Sequence, residues 1–264
     1  MAANNSKLVV VKGTSATGKG TRVVQLLKFL QSKHKSKNAQ WDHKGRKRQL
    51  GVEFPELKII FIGMMTVSNK SGLTSWTSMD YIHSTLMKVN LVPDVLRPWF
   101  DAGYTIICEG EPMMQSNRWR PEFLSNEFGC EDFFFQYYYY NGDRKPYDAR
   151  IVGRSGEVAG EAGWLRERTY KQEYDKIRIE METNGHGLAS NSSDKKGNFA
   201  EFYTNKSMAH INLFDEPLRE FGIKVLLWLG MSSMEGDFLQ FVDKKPMLRD
   251  INGNDPLATV RKLW

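Results

Sequence analysis

Apolar and polar positions alternate along the chain in blocks that predict strands and helices in turn. Residues 8–12, Leu-Val-Val-Val-Lys, form a β-branched run closed by Gly13 and predict a buried strand. Val23, Val24, Leu26, Leu27 and Leu30 recur at helical spacing and predict a helix from Lys19 to about Leu30. A polar, basic stretch follows, and Gly51–Glu56 reads as a turn or short hairpin before a buried strand at Leu57–Ile62. Residues 63–78 are rich in Ser, Thr, Gly and Asn and predict a long loop. Ser78 is placed to cap a helix from Met79 to about Val89, with Asp80 in its first turn. Pro93 opens another helix that ends near Asp101–Gly103. Tyr104–Cys108 predicts a third buried strand, closed by the acidic turn Glu109-Gly110-Glu111-Pro112.

Beyond that turn the pattern predicts a helix around Pro121–Phe128 and a strongly aromatic strand, Phe133–Tyr140, either a buried central strand or a contact surface. A Gly- and Arg-rich mobile loop over Arg144–Gly163, a charged helix over Trp164–Glu182 and a weakly hydrophobic linker over Asn184–Asn198 come next. Lys224–Leu229 predicts a last strand, followed by a short helix and an irregular tail. Strands alternating with helices predict an α/β fold, a parallel sheet sandwiched by helices.

Length and composition narrow the class. The 264 residues, 41% hydrophobic and 26% charged, suit a globular chain, not a disordered or fibrous one. A single domain over residues 1–243 and a tail over 244–264 are expected. No apolar run approaches the ~20 residues of a membrane span, and polar Met1–Lys7 lacks a signal-peptide core, so a cytoplasmic protein with no membrane partner is expected. Cys108 and Cys130 alone make neither a disulfide framework nor a zinc cluster, and no zinc is expected.

Charge changes the picture more. Between Lys28 and Arg48 the chain carries eight basic residues and one acid, Asp42. That segment holds +7 of a net +6, so the remainder sums to −1. A basic insertion over about residues 31–56 is therefore a solvated loop or a polyanion-binding patch, with His34, Trp41 and His43 interleaved.

The candidate chemistry lies between the first strand and helix. Gly13-Thr14-Ser15-Ala16-Thr17-Gly18-Lys19-Gly20-Thr21 has two glycines separated by four residues, then lysine. Glycines let successive backbone N–H groups face a phosphate chain, the helix N-terminus adds partial positive charge, and Lys19 reaches the β- and γ-phosphates. The residue after Lys19 is Gly20, so the hydroxyl that would serve magnesium comes one place later, from Thr21.

The Gly-Lys-Gly-Thr ending resembles adenylate kinases and related nucleotide kinases. That resemblance implies a P-loop NTPase fold, ATP as phosphoryl donor and Mg2+. Glu109-Gly110-Glu111-Pro112 is similar to their Asp-Gly-Phe-Pro turn, which implies that Glu109 faces the magnesium shell together with Thr21. Arg150-Ile151-Val152-Gly153-Arg154 is similar to the arginine motif of their lid, implying an Arg-rich lid over about residues 144–166 in which Arg150, Arg154 and Arg166 clamp phosphate. Solvation on a helix face is the alternative for Arg166 and Arg168. The acceptor half departs from the family: Met113 stands where adenylate kinases carry an arginine.

A basic insertion beside the acceptor side suggests a polyanionic acceptor, contacted by Lys44, Arg46, Lys47 and Arg48. In the stretch over residues 68–78, Trp76 would stack on a base or anchor the core, and Asn69 would read a base edge. Asp80 would orient an acceptor hydroxyl or stabilise its helix. Arg118-Trp119-Arg120 would flank DNA or open an exposed helix. The combination resembles the bacteriophage P-loop kinases that phosphorylate 5-hydroxymethyluracil within DNA, which implies a DNA acceptor and the cytoplasm of a host. A soluble nucleoside or nucleotide kinase and a non-kinase P-loop ATPase remain open readings.

Overall fold

The computed structural model describes residues 6–67, 74–79, 92–110, 119–155, 160–183, 188–189 and 207–244. Its strands are β1 (Lys7–Gly13), β2 (Lys37–His43), β3 (Arg46–Phe54), β4 (Ile59–Ile62), β5 (Met64–Val67), β6 (Thr74–Thr77), β7 (Thr105–Glu109), β8 (Asp132–Tyr139), β9 (Leu188–Ala189) and β10 (Ser207–Leu213). Its helices are α1 (Lys19–Lys33), α2 (Val92–Asp101), α3 (Pro121–Phe128), α4 (Arg144–Ser155), α5 (Glu161–Thr183), α6 (Leu218–Trp228) and α7 (Glu235–Lys244). The helix expected after Met79, most of the linker over 184–198 and the tail beyond Lys244 lie outside the described residues.

Eight strands form one sheet in the order β2-β3-β4-β7-β1-β8-β10-β9, and β5 pairs with β6 apart from it. From β4 to β9 every pairing is parallel; β2 and β3 run antiparallel at one edge. Because strand side chains alternate, Leu8 and Val10 of β1 join one core with Leu96 and Phe100 of α2, Leu124 of α3 and Tyr174 of α5. Val9 and Val11 face the opposite core, with Val23 and Leu27 of α1, Phe221 of α6 and Phe238 of α7. The sheet is sandwiched as the alternation predicts. The aromatic strand β8 lies between β1 and β10, its Phe133, Phe134 and Phe135 fully buried, so it is a central strand and not a contact surface.

Four expectations are corrected. The basic segment is not a loop: it carries the hairpin β2–β3, turned at Lys44 and Gly45 with φ 52° and 72°. Its alternation is short, with only Ala39 and Trp41 of β2 buried between exposed polar groups, and the surrounding charge hid it. Residues 63–78 likewise contain the hairpin β5–β6, tied by the Thr77 hydroxyl donating to the Met64 carbonyl at 2.8 Å. Arg144–Ser155 is helix and not mobile loop, because Tyr147 and Ile151, one turn apart, pack toward Tyr140, Trp164 and Phe214. Lys224–Trp228 belongs to helix α6, with Leu229 at its C-cap, and Phe221, Val225 and Leu226 share its inward face; the short apolar run fits either period. The last core strand is β10.

Candidate active site

Strand β1 delivers its last residue, Gly13, against the backbone of β8. A Cβ there would lie 2.2 Å from the Tyr138 carbonyl oxygen, so only glycine permits the approach, and Thr14 N–H then donates to that oxygen at 3.2 Å. The loop closes with the Thr17 hydroxyl donating to the Thr14 carbonyl at 2.9 Å, and Gly18, at φ 84°, hands over to α1. Lys19 is buried and folds back over the loop, its Nζ donating to the carbonyls of Gly13 at 2.9 Å and Thr14 at 3.0 Å. The α1 N-terminus thus sets backbone N–H groups and an ammonium at one point, the requirement for a phosphate chain.

Glu109 ends β7 in register with Val11 of β1 and is buried beside the start of α1. Its Oε1 lies 3.4 Å from the point where a Cβ on Gly20 would sit, and the Cβ and Cδ1 of Trp76 lie 3.6 Å away on another side. A Cβ at Gly20 would meet both at ordinary contact distance, so Gly20 marks where Glu109 and Trp76 approach the start of α1. Trp76, half-buried on β6, also covers Gly63 at the end of β4.

Two arginines hold the loop from beneath and beside. Arg22, one turn into α1 and fully buried, donates to the Thr17 carbonyl at 2.7 Å and to the carbonyls of Phe214 (3.2 Å) and Glu216 (2.5 Å). Its guanidinium lies 3.9 Å from the centre of the Tyr138 ring. Arg150 of α4 donates to the Ala16 carbonyl at 3.1 Å and lies over the Phe214 ring at 4.7 Å. Desolvation lowers the Arg150 pKa from its ordinary value, though arginine stays charged at any working pH.

Glu167 of α5 fastens the loop to the exit of β8. Its carboxylate accepts from the Thr14 hydroxyl at 3.2 Å, the Tyr140 N–H at 3.1 Å and the Gly142 N–H at 3.2 Å. Lys12 is buried one residue before the loop, 5.6 Å from the Phe135 ring centre. Burial pushes its ammonium down to about 7; Cys108 and Glu173 oppose that shift, and Arg120 adds to it.

The expected residues therefore divide. Gly13, Thr14, Ser15, Ala16, Thr17, Gly18, Lys19, Gly20, Thr21, Glu109, Trp76 and Arg150 gather at the carboxyl edge of the sheet. Arg154 lies one turn beyond Arg150 on α4, and its side chain is outside the described set. Arg166 and Arg168 are exposed on α5 and make no contact with the loop among the described residues; Glu167, between them, takes the inward place. Trp119 is fully buried core and not a surface aromatic, and Arg120 pairs with Glu173 at 3.6 Å. Asn69, Asp80 and Arg118 lie outside the described residues. Sequence reasoning missed Glu167, Arg22 and Lys12. The first had a signal, since Glu167, Tyr170 and Tyr174 are spaced as one helix face; the other two show only through partners distant in sequence.

The sequence profile of the 5-hmdU DNA kinase 2 family matches residues 5–262. A protein of Salmonella phage ViI named 5-hmdU DNA kinase 2 is 40% identical over 267 residues, which span 96% of this chain and 88% of that protein. Among solved structures, a gluconokinase from Sinorhizobium meliloti 1021 aligns with 91% of this chain and 99% of its own at 11% identity, with a TM-score of 0.30, too slight a likeness to carry an argument.

Proposed function

The chain belongs to the 5-hmdU DNA kinase 2 family, and from that premise we propose that it transfers the γ-phosphoryl group of ATP to the hydroxyl of a 5-hydroxymethylated uracil base in DNA. The observation that carries this reading is the meeting of Lys19, folded over its glycine-rich loop, with the buried Glu109 carboxylate beside Gly20. A phosphate-holding cation and an acid stand at one sheet edge, the pair that phosphoryl transfer from a magnesium-bound nucleotide uses.

In this reading the loop N–H groups and Lys19 hold the triphosphate, with Lys19 exchanging its two carbonyl partners for phosphate oxygens. Arg150 closes over the loop from α4 and stabilises charge on the transferring group, joined by Arg154 from the next turn of the same helix. The donor set also fits a hard divalent cation, with Glu109 and Thr21 as the side chains that would hold magnesium through its water shell. Bound there, magnesium would neutralise phosphate charge. Asp80 orients the acceptor hydroxyl, and Trp76 with Asn69 meets the base, which must leave the duplex stack to arrive. Catalysis is then mainly positioning and electrostatics.

The test is transfer of labelled γ-phosphate to four acceptors: hydroxymethylated DNA, unmodified DNA, free nucleosides and free nucleotides. Label retained on hydroxymethylated DNA alone is the expected result. Label on a free nucleoside or nucleotide would replace the reading with a soluble kinase, and phosphate release without acceptor would replace it with an ATPase.

A further inference from the structure

The basic hairpin does not merely edge the sheet; it overhangs the side on which phosphate transfer would occur. β3 pairs with β4 only over Gly51–Phe54, with Gly51 opposite Ile62, the last residue of β4. Arg46 to Leu50 therefore continue past the carboxyl end of β4, a reach of roughly 17 Å for five extended residues. Ile62 is level with Cys108, and the next residue of β7 is Glu109. The overhang thus rises at the edge that carries Glu109 and the loop after β1. Between them stand β5, which packs against β3, and Trp76 of β6, which reaches Gly20.

A register shift sorts the hairpin charges. Ala39 pairs with Gly51 but Gln40 pairs with Gln49, so Leu50 is an extra residue in β3. Beyond this bulge Arg48 stands opposite Trp41 and Arg46 opposite His43, while Lys47 stands opposite Asp42. Directly opposed residues share a face. Arg46, Arg48 and His43 therefore lie on the face of Trp41, whose ring is buried in the core with Leu50 and lies 5.1 Å from the His43 ring. Lys47 lies on the other face with Asp42, the only acid of the segment, which also accepts the Gly45 N–H at 3.0 Å and stiffens the tip. Arg46 is exposed on this face and Arg48 half-buried, its Nε enclosed, as is the Nε1 of Trp41 on the opposed residue.

We propose that the hairpin β2–β3 is a DNA-backbone clamp whose Arg46–Arg48 face, with Lys44 at the tip, holds the acceptor strand across the phosphate-transfer edge. The proposal rests on the DNA-kinase reading above and adds where the strand lies and which cations hold it. Two arginines on one face, about 7 Å apart along the strand, contact backbone phosphates without reading sequence.

The test compares Arg46→Gln/Arg48→Gln, Lys47→Gln and Arg46→Lys/Arg48→Lys with wild type. Affinity for hydroxymethylated and unmodified duplexes is measured over a range of salt, beside ATP affinity, thermal melting and labelled-phosphate transfer. The glutamine double variant should lose about ten- to a hundredfold in affinity for both duplexes, with the slope of log affinity on log salt smaller by ~1.8, or ~0.9 per lost phosphate contact. Its melting and ATP affinity should match wild type. Lys47→Gln should change affinity by less than about threefold, and the lysine double variant should keep most of the salt slope. An unchanged slope in the glutamine variant, or an equal loss in Lys47→Gln, overturns the clamp while leaving the kinase reading intact. Wild-type protein that binds DNA through this face yet labels none of it would overturn the kinase reading instead.

Discussion

Lys19 bonds to two carbonyls of its own loop, which fixes its charge over the glycine-rich turn. Lys19→Ala should abolish phosphoryl transfer while leaving the circular dichroism spectrum unchanged, and near-normal transfer would remove the kinase reading. Glu109→Gln should slow transfer by at least ~100-fold, the scale of losing one preorganised electrostatic group; damage from Glu111→Gln instead would move the acidic role two residues on. Lys12 offers a pH test. Burial holds its pKa near 7 against 10.5 in the unfolded chain, with Cys108, Glu173 and Arg120 facing it. Below pH 7 both states keep the proton and the burial penalty is complete. Between about 7 and 10.5 the unfolded chain binds more protons, so Lys12 makes stability rise with pH, by at most ~1.4 kcal/mol per unit. Denaturant unfolding at pH 7 and pH 9 should show a smaller rise in Lys12→Met than in wild type. Equal rises would show that Lys12 keeps its proton on folding.

Among the elements, α6 and the exit of β10 form the base on which the loop rests. Glu216 pairs with Lys224 at 2.5 Å, both about nine-tenths buried, and its other oxygen accepts from the Tyr138 hydroxyl at 2.8 Å. Lys224 reaches Asn212, which accepts from Gln136 of β8 at 2.8 Å. Because Arg22 bonds the Glu216 carbonyl and the Thr17 carbonyl together, this polar column sets the height of the loop. Removing one partner strands a buried charge, so Glu216→Leu or Lys224→Met alone should cost ~3–5 kcal/mol, and the double variant less than either single change. Denaturant titration of the three variants measures this. Additive losses would mean that the pair is not coupled. The hairpin depends on an equally local device: a Cβ on Gly51 would lie 1.9 Å from the Phe61 carbonyl oxygen, so glycine is what allows β3 to close on β4.

For the whole molecule, the sheet order divides the candidate site residues between two sides of β1. Toward β8 and β10 lie Arg150, Phe214 and Glu167; toward β7 and β4 lie Glu109, Trp76 and the basic hairpin. Nucleotide binding would engage β1, α1 and α4 together, so its effect should reach global stability. ATP at a hundredfold over its dissociation constant should raise the unfolding free energy by ~2.7 kcal/mol. Thermal or denaturant unfolding with and without ATP checks this, and no shift would argue against the loop as a nucleotide site. Among the described residues no helix is long and apolar enough to cross a membrane.

The glycine-rich loop, its flanking strand and helix, the β7 strand ending at Glu109 and the layered α/β class were legible in the chain, because each depends on residues close together in sequence. Periodicity failed where the same local pattern fits two structures. The run Lys224–Trp228 became helix because Phe221 and Val225 could share a face over the sheet. The basic segment became strand because Trp41 and Leu50 found a core to enter. Which charges point inward was decided only in three dimensions. Glu167 displaced its arginine neighbours from the loop because three donors, on Thr14, Tyr140 and Gly142, converge where its carboxylate lies. Local sequence determined the phosphate chemistry, since backbone curvature and helix N-termini are short-range properties. Tertiary packing decided where the basic hairpin carries its charges relative to Glu109, since that depends on a bulge and on strand pairings distant in sequence.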